Sequence, residues 1–169
     1  DGHTEIVKLL LDNGANVDMQ NIKGLTALTS ASVKGNIEIA RLLLEKESKV
    51  NIQDSTHVTA LMYASQYGHT EIVKLLLNNG ANVDIKDSKG VPALIVASKN
   101  GHTEIVSLLL YRGAKVDVQN MKGWTALMLA SAKGNKEIVN LLLEKKAKVD
   151  VQNMKGWTAL IEASIMGQT

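Results

Sequence analysis

Apolar residues recur along this chain in short blocks, each followed by a glycine and a polar stretch, and the blocks return at a fixed interval. The block Thr125-Ala-Leu-Met-Leu-Ala-Ser-Ala-Lys133 places Leu127 and Ala130 three apart on one face, with Thr125 positioned as an N-cap. Gly134 interrupts it. A second block, Lys136-Glu-Ile-Val-Asn-Leu-Leu-Leu143, carries a wide stripe of Ile138, Val139, Leu141 and Leu142, and Glu137 in its first turn suits the helix dipole. The pattern predicts two short helices, then an extended segment and a polar turn such as Gln119-Asn-Met-Lys-Gly123. Gly14, Gly80 and Gly113 fall where a second helix ends, at the left-handed position beyond the last turn. Helices of about eight residues do not stand alone in water, so neighbouring units must bury one another's stripes.

The interval is 33 residues. Gly2, Gly35, Gly68, Gly101, Gly134 and Gly167 keep this step, as do Ala31, Ala64, Ala97, Ala130 and Ala163, and Glu5, Glu38, Glu71, Glu104 and Glu137. Lys115–Leu127 and Lys148–Leu160 are the same thirteen residues, which indicates an internal duplication. The expected organisation is one repeat domain over 1–169: a half repeat 1–20, full repeats 21–53, 54–86, 87–119 and 120–152, and a half repeat 153–169. Polar capping repeats are missing at both ends, so the chain reads as a segment of a longer array. Ile6, Leu9, Leu10, Ile161 and Ile165 should then be partly exposed. The half repeats are complementary in phase, which would let two copies stack end to end.

Composition fits this picture. Of 169 residues 45% are hydrophobic, yet there is no Phe and only one Pro, consistent with many small packing layers in place of one large core. The absence of Cys excludes disulfides and thiol chemistry. A net charge of +2 does not by itself imply a nucleic acid. No apolar run reaches the ~18 residues of a membrane span, and the expected setting is intracellular, most simply the cytoplasm.

The run from Val58-Thr-Ala-Leu61 through Ala64-Ser65 to Gly68-His-Thr-Glu-Ile-Val-Lys-Leu-Leu-Leu77 and Gly80-Ala-Asn-Val-Asp84 closely resembles the ankyrin-repeat family, as does the whole chain. The resemblance implies an all-α solenoid of stacked helix-turn-helix units with hairpin-like turns. It also implies a protein-binding scaffold whose contact surface is a groove of turn tips and first helices. Departures are few. The family's T-P-L-H histidine is absent from every copy; Thr29, Met62, Ile95, Met128 and Ile161 stand in its place, and packing is expected to substitute for its hydrogen bonds. Glu47 and Lys146 replace the glycine after a second helix, at an expected cost on the order of 1 kcal/mol each. His57 replaces the tip glycine found at Gly24, Gly90, Gly123 and Gly156, so that turn should be distorted.

Carried onto this sequence, the groove positions select Lys23, Leu25, Lys34, Val58, Tyr67, Lys89, Lys99, Met121, Lys122, Trp124, Lys133, Met154, Lys155 and Trp157 as partner-binding candidates. Seven are lysines and none is a carboxylate, which would favour an acidic protein partner. Met121, Trp124, Met154 and Trp157 form a duplicated apolar cluster of a kind enriched at interfaces. Two plainer readings stand beside these: a row of surface lysines is often a solvated face, and a tryptophan after the tip glycine also packs on the next tip. His3, His69 and His102 share one repeat position and read as structural, since copies roughly 8–10 Å apart cannot share a metal. No catalytic set, phosphate loop, cofactor site or metal site is expected, nor a stacking platform for nucleic acid. The alternative is an adaptor segment of a larger enzyme, channel or toxin whose chemistry lies outside these residues.

Overall fold

The computed structural model describes residues 2–167; Asp1, Gln168 and Thr169, which close the outer half repeats, lie outside the described residues. Ten helices occur among them: α1 (Gly2–Asp12), α2 (Ala27–Lys34), α3 (Ile37–Glu45), α4 (Ala60–Tyr67), α5 (Thr70–Asn78), α6 (Ala93–Asn100), α7 (Thr103–Tyr111), α8 (Ala126–Ala132), α9 (Lys136–Glu144) and α10 (Ala159–Ile165). Even-numbered helices are the first of each pair. The odd-numbered ones from α3 on are the second, and α1 has the repeat position of a second helix. The only extended pairing among the described residues is an isolated antiparallel bridge between Gln53 and Thr59.

Local chemistry starts and stops the first helices. Thr26, Thr59, Thr125 and Thr158 sit in extended backbone, and each hydroxyl accepts from the backbone N–H three residues on. Pro92 occupies that position at α6, where it offers no such side-chain bond. Gly35, Gly68 and Gly101 end α2, α4 and α6 in the left-handed conformation, where a side chain would be strained. Ala31, Ala64, Ala97 and Ala130 are all buried, and their small side chains let adjacent helices approach closely.

The chain forms two compact units, residues 1–82 and 83–169. In the first, α2 packs on α3 and α4, α4 on α5, and α3 on both α1 and α5. Leu28, Leu43, Leu61, Ile72 and Leu76 are almost wholly buried between these layers. In the second, α8 packs on α6, α9 and α10, while α7 packs on α6 and α9, around Leu94, Ile105, Leu109, Met128, Ile138 and Leu142. Each helix pair thus finds its core in the neighbouring pair, as helices this short require.

Polar side chains tie successive repeats together. Asp18 Oδ1 accepts from the Lys49 backbone N–H and the Ser48 hydroxyl, both at 3.0 Å. The same position accepts a backbone N–H from the next repeat at Asn51 (from Asn82), Asp84 (from Lys115) and Asp117 (from Lys148). The recurrent V-D/N pair is therefore an inter-repeat clamp. Met62, Ile95 and Met128 fill the missing histidine's place by packing, each at most 3% exposed. Thr29 corrects that expectation: it is buried too, but its hydroxyl donates to the Thr26 carbonyl at 2.8 Å, so hydrogen bonding survives in this copy. Ile161, at the same place in α10, is exposed.

The expected distortion at His57 does not occur. His57 adopts the left-handed conformation of the glycines it replaces, with φ of 60° at Glu47, 63° at His57 and 62° at Lys146. Its backbone N–H bonds the Asp54 carbonyl at 2.9 Å and Asp54 N–H bonds the Val58 carbonyl at 3.0 Å, as Gly24 and Asn21 do one repeat earlier. The turn holds because Asp54 gathers more bonds than its counterparts and offsets the strain of a left-handed side chain.

Candidate functional site

The tips are built on one device. An Asx side chain at the base accepts the backbone N–H groups two and four residues on, which closes the turn without regular secondary structure. Asn21 Oδ1 holds Lys23 and Leu25 in this way, Asp87 Oδ1 holds Lys89 and Val91, Asn120 Oδ1 holds Lys122 and Trp124, and Asn153 Oδ1 holds Lys155 and Trp157. Each of the four tip lysines, Lys23, Lys89, Lys122 and Lys155, is therefore positioned by the same acceptor as the apolar residue two positions later.

Successive tips are hooked together through backbone. Ser55 N–H bonds the Lys23 carbonyl at 3.0 Å in the first unit; Met121 N–H bonds that of Lys89 at 2.9 Å and Met154 N–H that of Lys122 at 3.1 Å in the second. Gly24 and Gly123 permit this approach. A Cβ on Gly24 would lie 2.7 Å from Ser55 N, and one on Gly123 would lie 2.8 Å from Asn153 Cα. Gln20 and Gln119 reinforce the hooks, each amide donating to its own tip and to the next, at 2.6 and 3.1 Å for Gln20 and 2.8 and 3.0 Å for Gln119.

In the first unit, Lys23 and Lys34 are exposed, Leu25 and Val58 half-buried, and Tyr67 is 48% exposed at the end of α4 with its ring 6.2 Å from that of His69. His69 is a structural residue: its Nε2 lies 3.3 Å from the Val33 carbonyl, and its ring fills the space beside Gly35. In the second unit, Lys89, Lys99, Lys122, Lys133 and Lys155 are exposed. Met121 and Met154 are 64% and 80% exposed, whereas Trp124 and Trp157 are half-buried. Each tryptophan thus both packs and presents a surface. Lys155 Nζ lies 5.9 Å from the centre of the Trp157 ring, within cation–π reach.

Charge is uneven between the units. Residues 1–82 contain 7 Lys+Arg against 9 Asp+Glu, a net −2, and residues 83–169 contain 12 against 8, a net +4. At one tip of the first unit the acidic group is drawn inward. Asp54 is buried, its Oδ1 accepting from Thr56 N–H and hydroxyl and from Val58 N–H, and its Oδ2 from the Tyr63 hydroxyl at 2.6 Å. Burial pushes the Asp54 carboxyl up, but the bonds from Tyr63, Val58 and Thr56 outweigh it and hold the pKa below the usual carboxylate value. Burial, then the bond to Asp54 and the charge beside it, push the Tyr63 phenol up to about 12.

Sequence reasoning missed one residue in each unit. Tyr63 bridges helix to tip; the one signal was an aromatic at that position in the same copy that lacks the tip glycine. Glu162 is the sole carboxylate on a first helix, only 4% exposed, with Oε1 unpartnered; the amide nitrogen of the buried Asn153 is also unpartnered. Burial raises the pKa of Glu162, with Lys155 acting against it. Among the described residues no group of His, Asp and Glu is gathered to hold a metal, and no helix is long and apolar enough to cross a membrane.

Stacked helix pairs, Asx-closed tips and inter-repeat clamps define a helical repeat protein. A family model described as ankyrin repeats (3 copies) matches residues 1–87, 50–120 and 94–169, and the chain belongs to that family. No curated protein matches it. Ankyrin repeats are in general protein-interaction modules and typically non-catalytic.

Proposed function

We propose that this chain is an interaction scaffold that binds another protein through the tips and first-helix ends, and that the partner surface is acidic. One observation carries the reading: within each unit the candidate lysines are exposed, Lys23 and Lys34 in the first and Lys89, Lys99, Lys122, Lys133 and Lys155 in the second, while Asp54 in the first and Glu162 in the second are buried and Asp87 is half-buried. Exposed cations of this kind attract carboxylates and repel cationic partners in either unit, acting on encounter rate and specificity more than on affinity. Met121 and Met154 add exposed, adaptable apolar surface.

The test is lysine cross-linking with a partner captured from native lysate. Cross-links are expected at Lys23, Lys89, Lys122 and Lys155, and not at Lys8 or Lys136 on second helices. Capture should fall when the tip lysines are changed to glutamate. Cross-links confined to the second helices would defeat the reading.

A second copy of the chain is a further proposed occupant, at other faces. Ile6, Leu9 and Leu10 of α1 and Ile161 and Ile165 of α10 are each at least 40% exposed. One is a second helix and the other a first helix, so the two supply the halves of one repeat. A sedimentation coefficient independent of concentration would remove this reading; a rise that Ile161→Lys abolishes would support it.

A further inference from the structure

The six methionines of the chain divide between two environments. Met62 on α4 and Met128 on α8 are 3% and 1% exposed, packed within the stack. Met121 and Met154 hold one position in two tips of the second unit and are 64% and 80% exposed. Met19, before the first tip, and Met166, at the end of α10, are exposed as well. A thioether reacts with a peroxide only where the oxidant reaches its sulfur, so this division decides which methionines react. With no Cys in the chain, thioethers are the only sulfur the oxidant meets.

What a sulfoxide does to the fold depends on what the side chain does there. Met121 N–H bonds the Lys89 carbonyl and Met154 N–H that of Lys122, so each residue joins the neighbouring tip through backbone. Ile22, Ser55 and Ser88 hold the same position in the other tips, and all three are exposed. Ser55 makes the same backbone bond, to the Lys23 carbonyl. The position therefore takes an alkyl chain or a hydroxyl and keeps its hook. A new oxygen on Met121 or Met154 meets water, whereas one on Met62 or Met128 would have to leave water for an apolar core.

We propose that Met121 and Met154 are a paired oxidation site, converted by hydrogen peroxide to methionine sulfoxides that make two apolar tip positions polar and leave the stack folded. The sulfur lone pair attacks one peroxide oxygen; the S–O bond forms as the O–O bond breaks, and sulfur loses two electrons. The second oxygen departs as hydroxide and takes up the proton of the first, so the co-product is water. A methionine sulfoxide reductase with a dithiol reverses the change: the sulfoxide oxygen leaves as water and the dithiol becomes a disulfide. Where the tips meet a partner, as the scaffold reading above has it, oxidation also removes apolar contact area; the chemistry itself does not rest on that reading.

The experiment uses the whole chain carrying Met19→Leu and Met166→Leu, both at exposed positions, so that two exposed and two buried methionines remain. It is treated with dilute hydrogen peroxide at neutral pH. Peptide mass mapping follows each methionine, alongside thermal melting and native elution from a hydrophobic-interaction column. Met121 and Met154 should oxidise at least about tenfold faster than Met62 and Met128. The chain oxidised at both tips should melt at the same temperature as the untreated chain and elute earlier. Reductase with dithiothreitol should restore its retention, and Met121→Leu/Met154→Leu should abolish the peroxide-induced shift. Oxidation of Met62 or Met128 at the rate of the tip residues, a melting temperature that falls as the tips oxidise, or an unchanged elution would overturn the inference. Tip cross-links to a native partner would still stand in that event, so its failure is distinguishable from failure of the scaffold reading.

Discussion

The hydroxyl of Tyr63, on α4, donates to Asp54 Oδ2 at 2.6 Å and so fastens the base of a tip to the first helix of its own repeat. The other oxygen of Asp54 accepts the three bonds that close the tip over left-handed His57. Removing the hydroxyl leaves a buried carboxylate short of one donor. Tyr63→Phe should therefore destabilise the chain by about 1–2 kcal/mol in denaturant melts, the range of a bond to a charged group discounted for partial exposure. The same variant should remove the phenolate absorbance step near pH 12. An unchanged titration would show that Tyr63 does not hold that proton.

Asp54 has its pKa lowered in the folded chain from the ordinary 3.8. A carboxyl depressed by folding stabilises the fold above its unfolded pKa, and that stability is lost as pH falls through the folded value. Stability should thus decline below about pH 4. Asp54→Asn keeps the tip acceptor, as Asn21 and Asn120 do, and should flatten that part of the acid limb. Parallel acid limbs for variant and parent would refute the assignment.

Glu162 behaves with the opposite sign. Burial raises its pKa in the folded chain, so its contribution is present below the unfolded value of 4.5 and lost as pH rises through the folded one. Glu162→Gln should raise the melting temperature at pH 7 and leave it nearly unchanged at pH 3. The carboxyl resonance of Glu162, followed by NMR, should titrate above the ordinary glutamate range.

Glu47 and Lys146 hold left-handed backbone at the ends of α3 and α9, with φ of 60° and 62°. Glycine relieves that strain but loses more chain entropy on folding. Glu47→Gly and Lys146→Gly should each give a net gain of about 0.5–1 kcal/mol. Hydrogen exchange at Ser48 and Ala147 should slow in parallel; a loss of stability would show that these side chains make compensating contacts.

The fold was legible because its signals are local and repeated. Thr125, Gly134 and the Ile138–Leu142 stripe each state a cap, a break or a face within a few residues, and the 33-residue step repeats the statement. Glu47 and Lys146 were legible as strained by comparison with Gly14, Gly80 and Gly113. His57 was misread because the compensation comes from elsewhere: Asp54 is held by Tyr63, nine residues on, and only the folded tip brings them together. Burial of Glu162 was illegible for a related reason, since its helix position is Ser30, Tyr63, Val96 and Leu129 in the other copies, with no common polarity. Exposure of the lysine candidates followed from their positions in the turns and at the ends of the first helices. The backbone hooks between tips, by contrast, are announced by no side-chain pattern.

Those hooks have an evolutionary consequence. Lys89 and Lys122 receive the next tip through their carbonyl oxygens, and Met121 and Met154 reach back through their amides. The side chains at these positions are left out of the cohesion of the stack. A lineage could therefore exchange one residue after another there, acquiring or abandoning a client, with little change in how well the protein folds.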